Sequence, residues 1–226
     1  MCRFYIYRGT PDEDLHLALR KSAERDPYAP FMPQRHGDGW GYAAVLLNGS
    51  LAFYKTHLPI WEDAHIPPLG LAGLAHARAA SRGEPKGVEY SHPFLAYTDD
   101  GRLLFVAHNG ALDKGALARA LGRDPNRYSD SWLLALFLAE RWDNPEEALK
   151  AAEPYTRTAL NVGILEVPGP HAYVYSYFKA EGEKSELYYR IFMASGEGWT
   201  AAFSSTLARH VRTRAEPAGV GRLYRL

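Results

Sequence analysis

The chain has 226 residues, 46% hydrophobic, 23% charged and 13% aromatic, which is long enough for one well-buried domain and short for two. Basic and acidic residues balance at 26 each, so no nucleic-acid partner is expected. The longest apolar runs, such as residues 132–139, fall well short of the roughly 20 residues that cross a bilayer, so no membrane partner is expected either. The opening MCRFYIYRG lacks the apolar core of a signal peptide, and the expected address is the cytoplasm. Cys2 is the only cysteine, which excludes an internal disulfide and a cysteine-rich metal site.

Residues 3–7 read as a strand, because aromatic and β-branched residues crowd it. Residues 12–25 read as a helix, with Pro11 near its start and acidic residues in its first turn. A Pro-containing stretch, 26–39, separates it from segments 40–47 and 51–57. Asn48-Gly49 joins those two as a hairpin. Residues 71–77 and 103–107 are short apolar runs between polar loops, as central strands are. Helices are predicted over 112–121, 130–142 and, behind Pro145, 146–152. From residue 158 onward strands dominate, over 159–167, 172–179, 187–194, 200–204 and 222–225. No repeat, low-complexity tract or linker divides the chain, so a single domain over 1–226 is expected. Many strands with helices bunched mid-chain argue an α+β fold, helices covering sheets that face each other.

The position of Cys2 is informative. Initiator methionine is normally excised before a small residue such as cysteine, and removal of Met1 would leave Cys2 with a thiol and a free α-amine. The reference pKa values are about 8.5 for the thiol and about 7.7–8.0 for the amine, so the amine can serve as a general base near neutral pH. The following strand would hold this end rigid, where most termini fray. The plain alternative is an accidental cysteine in a disordered terminus.

Five further motifs bear on the choice: HGDGWGYA at 36–43, LAHARAAS at 74–81, YSHPF at 90–94, FVAHNGAL at 105–112 and YSDSWLLA at 128–135. With the N-terminal MCR, in this order, they resemble the class II glutamine amidotransferases, a branch of the N-terminal-nucleophile hydrolases, and most closely their small single-domain members. The likeness is dense from residue 1 to about 138 and continues more faintly to FSSTL at 203–207. It implies a four-layer αββα sandwich of two mainly antiparallel sheets, with Cys2 as nucleophile and no cofactor. Asn109 and Gly110 resemble the family's oxyanion hole, where an Asn side chain and a Gly backbone N–H face the developing charge. Arg78 resembles the arginine that grips the substrate α-carboxylate, a task suited to a planar fork. Asp130 resembles the aspartate that holds the α-ammonium, and binding is its favoured role, although Asp before a helix is also a preferred N-cap. Ser81 matches a Ser/Thr position near the bound amino acid. Asp38, Gly39, Trp40 and Gly41 match a loop that supports the nucleophile. The family arginine that steadies the cysteine backbone has two candidates, Arg35 and His36. Ala79 stands where multidomain members carry an aromatic, which bears on how tightly glutamine is discriminated.

The implied reaction releases ammonia from glutamine or a γ-glutamyl amide, either for a separate ammonia-accepting synthase or as a free-standing amidase. Two other classes remain open: an N-terminal-nucleophile hydrolase of another amide, and a non-catalytic regulatory or binding protein on the same fold. His76, His92 and His108 are evenly spaced and could suggest a metal, but each lies inside a motif at or near a strand end, where a structural role is expected, so no metal is assigned. Ser176 and Lys179 match S-x-x-K by chance, within an alternating aromatic segment.

Overall fold

A computed structural model describes residues 2–29, 35–81, 83–179 and 182–226. Met1, whose removal the sequence reading requires, and residues 30–34 of the Pro-containing stretch lie outside the described residues. In chain order the elements are β1 (Arg3–Gly9), α1 (Leu15–Glu24), β2 (Trp40–Val45), β3 (Leu51–Thr56), β4 (Ala72–Ala77), β5 (Phe94–Tyr97), β6 (Leu103–Leu112), α2 (Lys114–Ala120), α3 (Asp130–Ala139), α4 (Pro145–Ala152), β7 (Thr156–Val167), β8 (His171–Ser176), α5 (Glu183–Tyr189), β9 (Ile191–Gly196), β10 (Trp199–Ser204), β11 (Glu216–Pro217) and β12 (Arg222–Arg225).

The strands form two sheets, ordered β11-β9-β10-β1-β4-β2-β3 and β12-β8-β7-β6-β5, and every pairing within them is antiparallel. Period-2 alternation sorts each strand between two cores. On β1, Phe4 and Ile6 pack between the sheets with Ala43, Leu74, Phe105, Leu165 and Ala202. Tyr5 and Tyr7 face the other way, onto Leu15, Ala18 and Leu19 of α1. On β6, Phe105 and Ala107 enter the inter-sheet core, while Leu104 and Val106 meet Leu133, Leu134 and Leu138 of α3. The result is helix, sheet, sheet, helix: the expected α+β sandwich of four layers.

Most predicted elements fall within a few residues of those observed, and four readings need correction. β6 runs to Leu112, five residues beyond the expected end, so the His108-Asn109-Gly110 triplet lies on a strand paired with β7. The segment 187–194 is not one strand. Its first three residues end α5, which has Glu183 and Glu186 in its first turn, and aromatic Tyr188 and Tyr189 disguised that helix as a strand. β5, within and after YSHPF, and the two-residue β11 were not predicted. The β2–β3 hairpin forms as expected, but through a five-residue loop closing at Val45↔Leu51, in which Asn48 Oδ1 accepts from Ser50 N at 3.0 Å and Gly49 takes φ +81°.

Candidate active site

β1 lies inside the larger sheet with β10 on one side and β4 on the other, so Cys2, one residue before it, is anchored from both flanks. Cys2 is 7% exposed. Its N–H donates to Asn109 Oδ1 at 3.1 Å, and its Sγ lies 3.8 Å from Ala79 O. The strand period puts Cys2 on the inter-sheet side with Phe4 and Ile6, and Arg3 on the opposite side.

Arg3 is wholly buried, and it is the principal residue that sequence reasoning missed. Its Nη1 donates to Cys2 O and to Tyr188 O, both at 3.3 Å, and its guanidinium lies 3.8 Å over the Tyr188 ring. Its Nε donates to Asp26 Oδ2 at 2.6 Å. Asp26 also accepts from Thr206 Oγ1 at 2.7 Å and Tyr28 N at 3.0 Å, and lies 2.9 Å from His36 Nε2. Burial opposes ionisation of Asp26, but the His36 hydrogen bond and the Arg3 charge together hold its carboxyl well below the ordinary range. Burial pushes His36 below its ordinary value, against the pull of Asp26, so the neutral ring donates Nε2–H to the carboxylate. The arginine that steadies the cysteine backbone is thus Arg3, with His36 acting one step behind it through Asp26. Arg35 instead donates to Glu24 O and lies over Trp61. Arg3 is visible in MCR, but its inward partner, Asp26, sits 23 residues away, and nothing local signals the pair.

Asn109 is wholly buried on β6. With Oδ1 engaged by Cys2 N, its Nδ2 lies buried with no hydrogen-bond partner among the described residues. Leaving such a donor unmet costs about 1–3 kcal/mol, the kind of cost a site bears when the partner is a ligand. Gly110 is required by packing: a Cβ there would lie 1.8 Å from Ala159 O. His108, facing the helical layer, lies 2.9 Å from Ser131 Oγ and 3.0 Å from Ala159 O and so fixes this stretch of β6 from behind.

The DGWG loop braces the segment facing the thiol. Asp38 N donates to Arg78 O, and Arg78 N to Gly39 O, each at 2.8 Å. Asp38 Oδ2 accepts from Ala80 N at 2.9 Å, and Lys86 Nζ lies 2.6 Å from Asp38 Oδ1. Gly39 takes φ +109°, and a Cβ there would meet Ser91 Oγ at 2.2 Å. At Gly41 one would meet the His92 and Tyr54 carbonyl oxygens, both at 2.5 Å. Trp40 departs from the group: its indole is buried on the α1 side of the sheet and donates to Asp63 Oδ2 at 3.0 Å.

Arg78 is 4% exposed, and its Nη1 is buried without a partner among the described residues. Asp130 is the first residue of α3. The cap itself is Ser129, whose hydroxyl accepts from Trp132 N at 3.1 Å; the capping alternative for Asp130 is therefore corrected. Its carboxylate instead reaches back to the end of β6, accepting from Leu112 N at 2.9 Å, and from Ser131 N at 2.7 Å. Glu84 was missed by sequence reasoning, because it sits between motifs in a Gly/Pro loop. Its Oε2 is buried without a partner among the described residues, and Oε1 lies 3.5 Å from Lys114 Nζ. Burial and then the Asp130 charge raise its pKa, with Lys114 and Arg78 opposing. Arg78, Glu84 and Asp130 thus share one electrostatic neighbourhood. Ser81 is exposed on the adjoining turn, and its carbonyl accepts from Glu84 N at 3.0 Å. Lys55, also missed, is pushed down to about 8 by burial, against the pull of Glu89.

The three histidines take different surroundings. The His76 and His92 rings lie 3.9 Å apart between centroids, and His76 Nε2 lies 3.2 Å from His108 O, bridging the sheets. Burial drives both rings well below their ordinary values, so both are neutral.

No protein-family model matches the sequence, and no curated protein is detectably similar to it. Solved structures are. All of the chain superposes on glutamine phosphoribosylpyrophosphate amidotransferase from B. subtilis, complexed with ADP and GMP, at TM-score 0.68 and 16% identity. It also superposes in full on the allosteric regulatory enzyme of purine biosynthesis, at TM-score 0.72 and 17% identity. It spans 47% and 46% of those two chains, about half their length. A glutamine aminotransferase class-II domain protein from Silicibacter pomeroyi matches 99% of the chain over 94% of its own, at TM-score 0.56 and 17% identity. The chain has the fold that these solved structures share, the α+β N-terminal-nucleophile hydrolase fold of two antiparallel sheets with helices.

Proposed function

We propose that the chain is a class II glutamine amidotransferase domain that hydrolyses the side-chain amide of glutamine or a γ-glutamyl compound through Cys2. The observation that carries this reading is the two-sided use of Asn109: one end of its amide holds Cys2 N, and the other is a buried donor with no partner among the described residues. With Met1 removed, the Cys2 α-amine takes the thiol proton, and the thiolate adds to the amide carbonyl carbon. The carbonyl oxygen gains the charge and is met by Asn109 Nδ2 and the Gly110 backbone. Such donors act where the charge develops and need no reorganisation. The tetrahedral intermediate collapses with the C–N bond breaking. The protonated amine supplies the leaving proton, and ammonia departs from a γ-glutamyl thioester. Water, deprotonated by the amine, then cleaves the thioester to the free carboxylate and the thiol. Arg78 pairs with the substrate α-carboxylate, and Asp130 with its α-ammonium. Ammonia passes to a separate synthase or leaves as product.

The test is ammonia release from glutamine and a panel of γ-glutamyl amides by wild type, Cys2→Ala and a preparation with Met1 blocked in place. Wild type with a free Cys2 amine is expected to turn over, and both others to be inactive. A Cys2→Ala variant keeping more than about a hundredth of wild-type kcat refutes the nucleophile, since losing one typically costs far more. Equal turnover with Met1 retained refutes the amine as base.

A further inference from the structure

We infer that Asn161 is a second anchor for the Cys2 nitrogen, accepting a hydrogen bond that only a freed α-amine can donate. Asn161 lies on β7 directly opposite Asn109, and residues opposite each other in an antiparallel pair share a face, with Cβ atoms about 4.5–5.5 Å apart. The face here is the inter-sheet one, since Leu165, four residues along and so on the same face, packs between the sheets, and Val162 toward the helices. Asn161 is wholly buried. Its Nδ2 donates to Tyr189 O at 2.5 Å, which fixes the orientation of the amide. Its Oδ1 is buried with no donor among the described residues.

Two side-chain amides thus stand side by side at the nucleophile. One acceptor, Asn109 Oδ1, already receives Cys2 N, and the other, Asn161 Oδ1, has nothing. A peptide N–H carries one proton, and Asn109 uses it. An amine carries two, and an ammonium three. Removal of Met1 would supply the missing donor at this point, so the orphaned carbonyl matches the processed form of the chain. The inference rests on the functional reading above. Asn161 would act as a positioning residue: it orients the amine toward Sγ and, by accepting from the ammonium, favours the charged form.

The chain has a single cysteine, so protein labelled with ¹⁵N-cysteine carries one nitrogen probe, at Cys2. Its titration is followed by NMR in processed wild type, Asn161→Ala and the nearly isosteric Asn161→Asp, with intact mass confirming loss of Met1 and a thermal melt confirming folding. The other titratable and charged groups around the site are the Cys2 thiol itself, Arg3 on β1, Asp26 and His36 beyond α1, His76 and Arg78 at the end of β4, Glu84 in the loop after it, His108 on β6, Asp130 on α3, and Tyr188 and Tyr189 on α5, and all are unchanged in these variants. Loss of the acceptor is expected to lower the amine pKa by about one unit, and a carboxylate to raise it by about one unit. The acid limb of turnover should move in the same two directions. Unchanged titration in both variants, or displacement of both in one direction, overturns the inference, as does a fall in kcat with the titration unmoved. The NMR readout needs no substrate. Ordered shifts in a protein that hydrolyses no γ-glutamyl amide would leave Asn161 standing and remove the proposed reaction.

Discussion

Replacing Asp26 by Asn tests the idea that the nucleophile is held from behind. The two side chains have nearly the same shape, so the change removes charge rather than volume. In the native protein Asp26 receives Arg3 Nε, Thr206 Oγ1, Tyr28 N and the His36 ring, and the side chains of both Arg3 and Asp26 have no solvent exposure. An amide offers one accepting oxygen where the carboxylate has two, and it turns an NH2 toward at least one of these donors. Arg3 cannot deprotonate, so its charge remains buried without a counter-ion. Breaking a buried pair in this way costs about 3–5 kcal/mol. At about 2–4 °C per kcal/mol for a domain of this size, the melting temperature should fall by roughly 6–20 °C. Arg3 also donates to Cys2 O, so the loss should reach the nucleophile as faster alkylation of Cys2 by iodoacetamide and lower kcat below the variant's melting point. The sign of the pH dependence follows from the depressed Asp26 carboxyl. Its contribution is complete above the unfolded carboxylate pKa of about 3.9 and is lost as pH falls toward the lower folded value. The wild-type advantage over Asp26→Asn should therefore be flat from neutral pH to about pH 5 and shrink only in stronger acid. Scanning calorimetry from pH 3 to 7 reads both. A fall in melting temperature under about 3 °C at pH 7, or an advantage that grows on acidification, refutes the reasoning.

Asn109→Ala removes the only side-chain acceptor shown for Cys2 N and the free Nδ2 donor together, so kcat should fall about 10²–10³-fold or more in steady-state ammonia release, and a fall under tenfold counts against the oxyanion role. Arg78→Lys keeps a charge but loses the fork, so it should raise KM more than it lowers kcat, and an unchanged KM for every active γ-glutamyl substrate removes Arg78 from the site. Asp130→Ala is expected to raise KM in the same assay; a lower melting temperature with kinetics unchanged would instead limit Asp130 to tying Leu112 N to α3.

The sequence by itself carried the elements whose cause is local. Aromatic and β-branched crowding placed β1, and a short apolar run between polar loops placed β4. Proline marked α4, which has Pro145 as its first residue. The proposed chemistry was equally local: a cysteine at position 2 and an Asn-Gly pair can be read one after the other along the chain. What only the tertiary structure decided depends on contacts between distant residues. Arg3 became a buried brace because folding brings Asp26 and Tyr188 against it, and brings Thr206, 180 residues away in sequence, against Asp26. Asn161 stands opposite Asn109 because β7 pairs with β6 in one register, and a shift of one residue would turn it to the opposite face. Trp40, inside the DGWG motif, faces away from the site for the same reason of strand period. The 187–194 segment shows the converse: its aromatic residues satisfy strand propensity, yet Tyr188 and Tyr189 are buried at the end of a short helix against Ala159. Packing overrode local preference there because side-chain burial stabilises by more than the fraction of a kcal/mol per residue that propensity contributes.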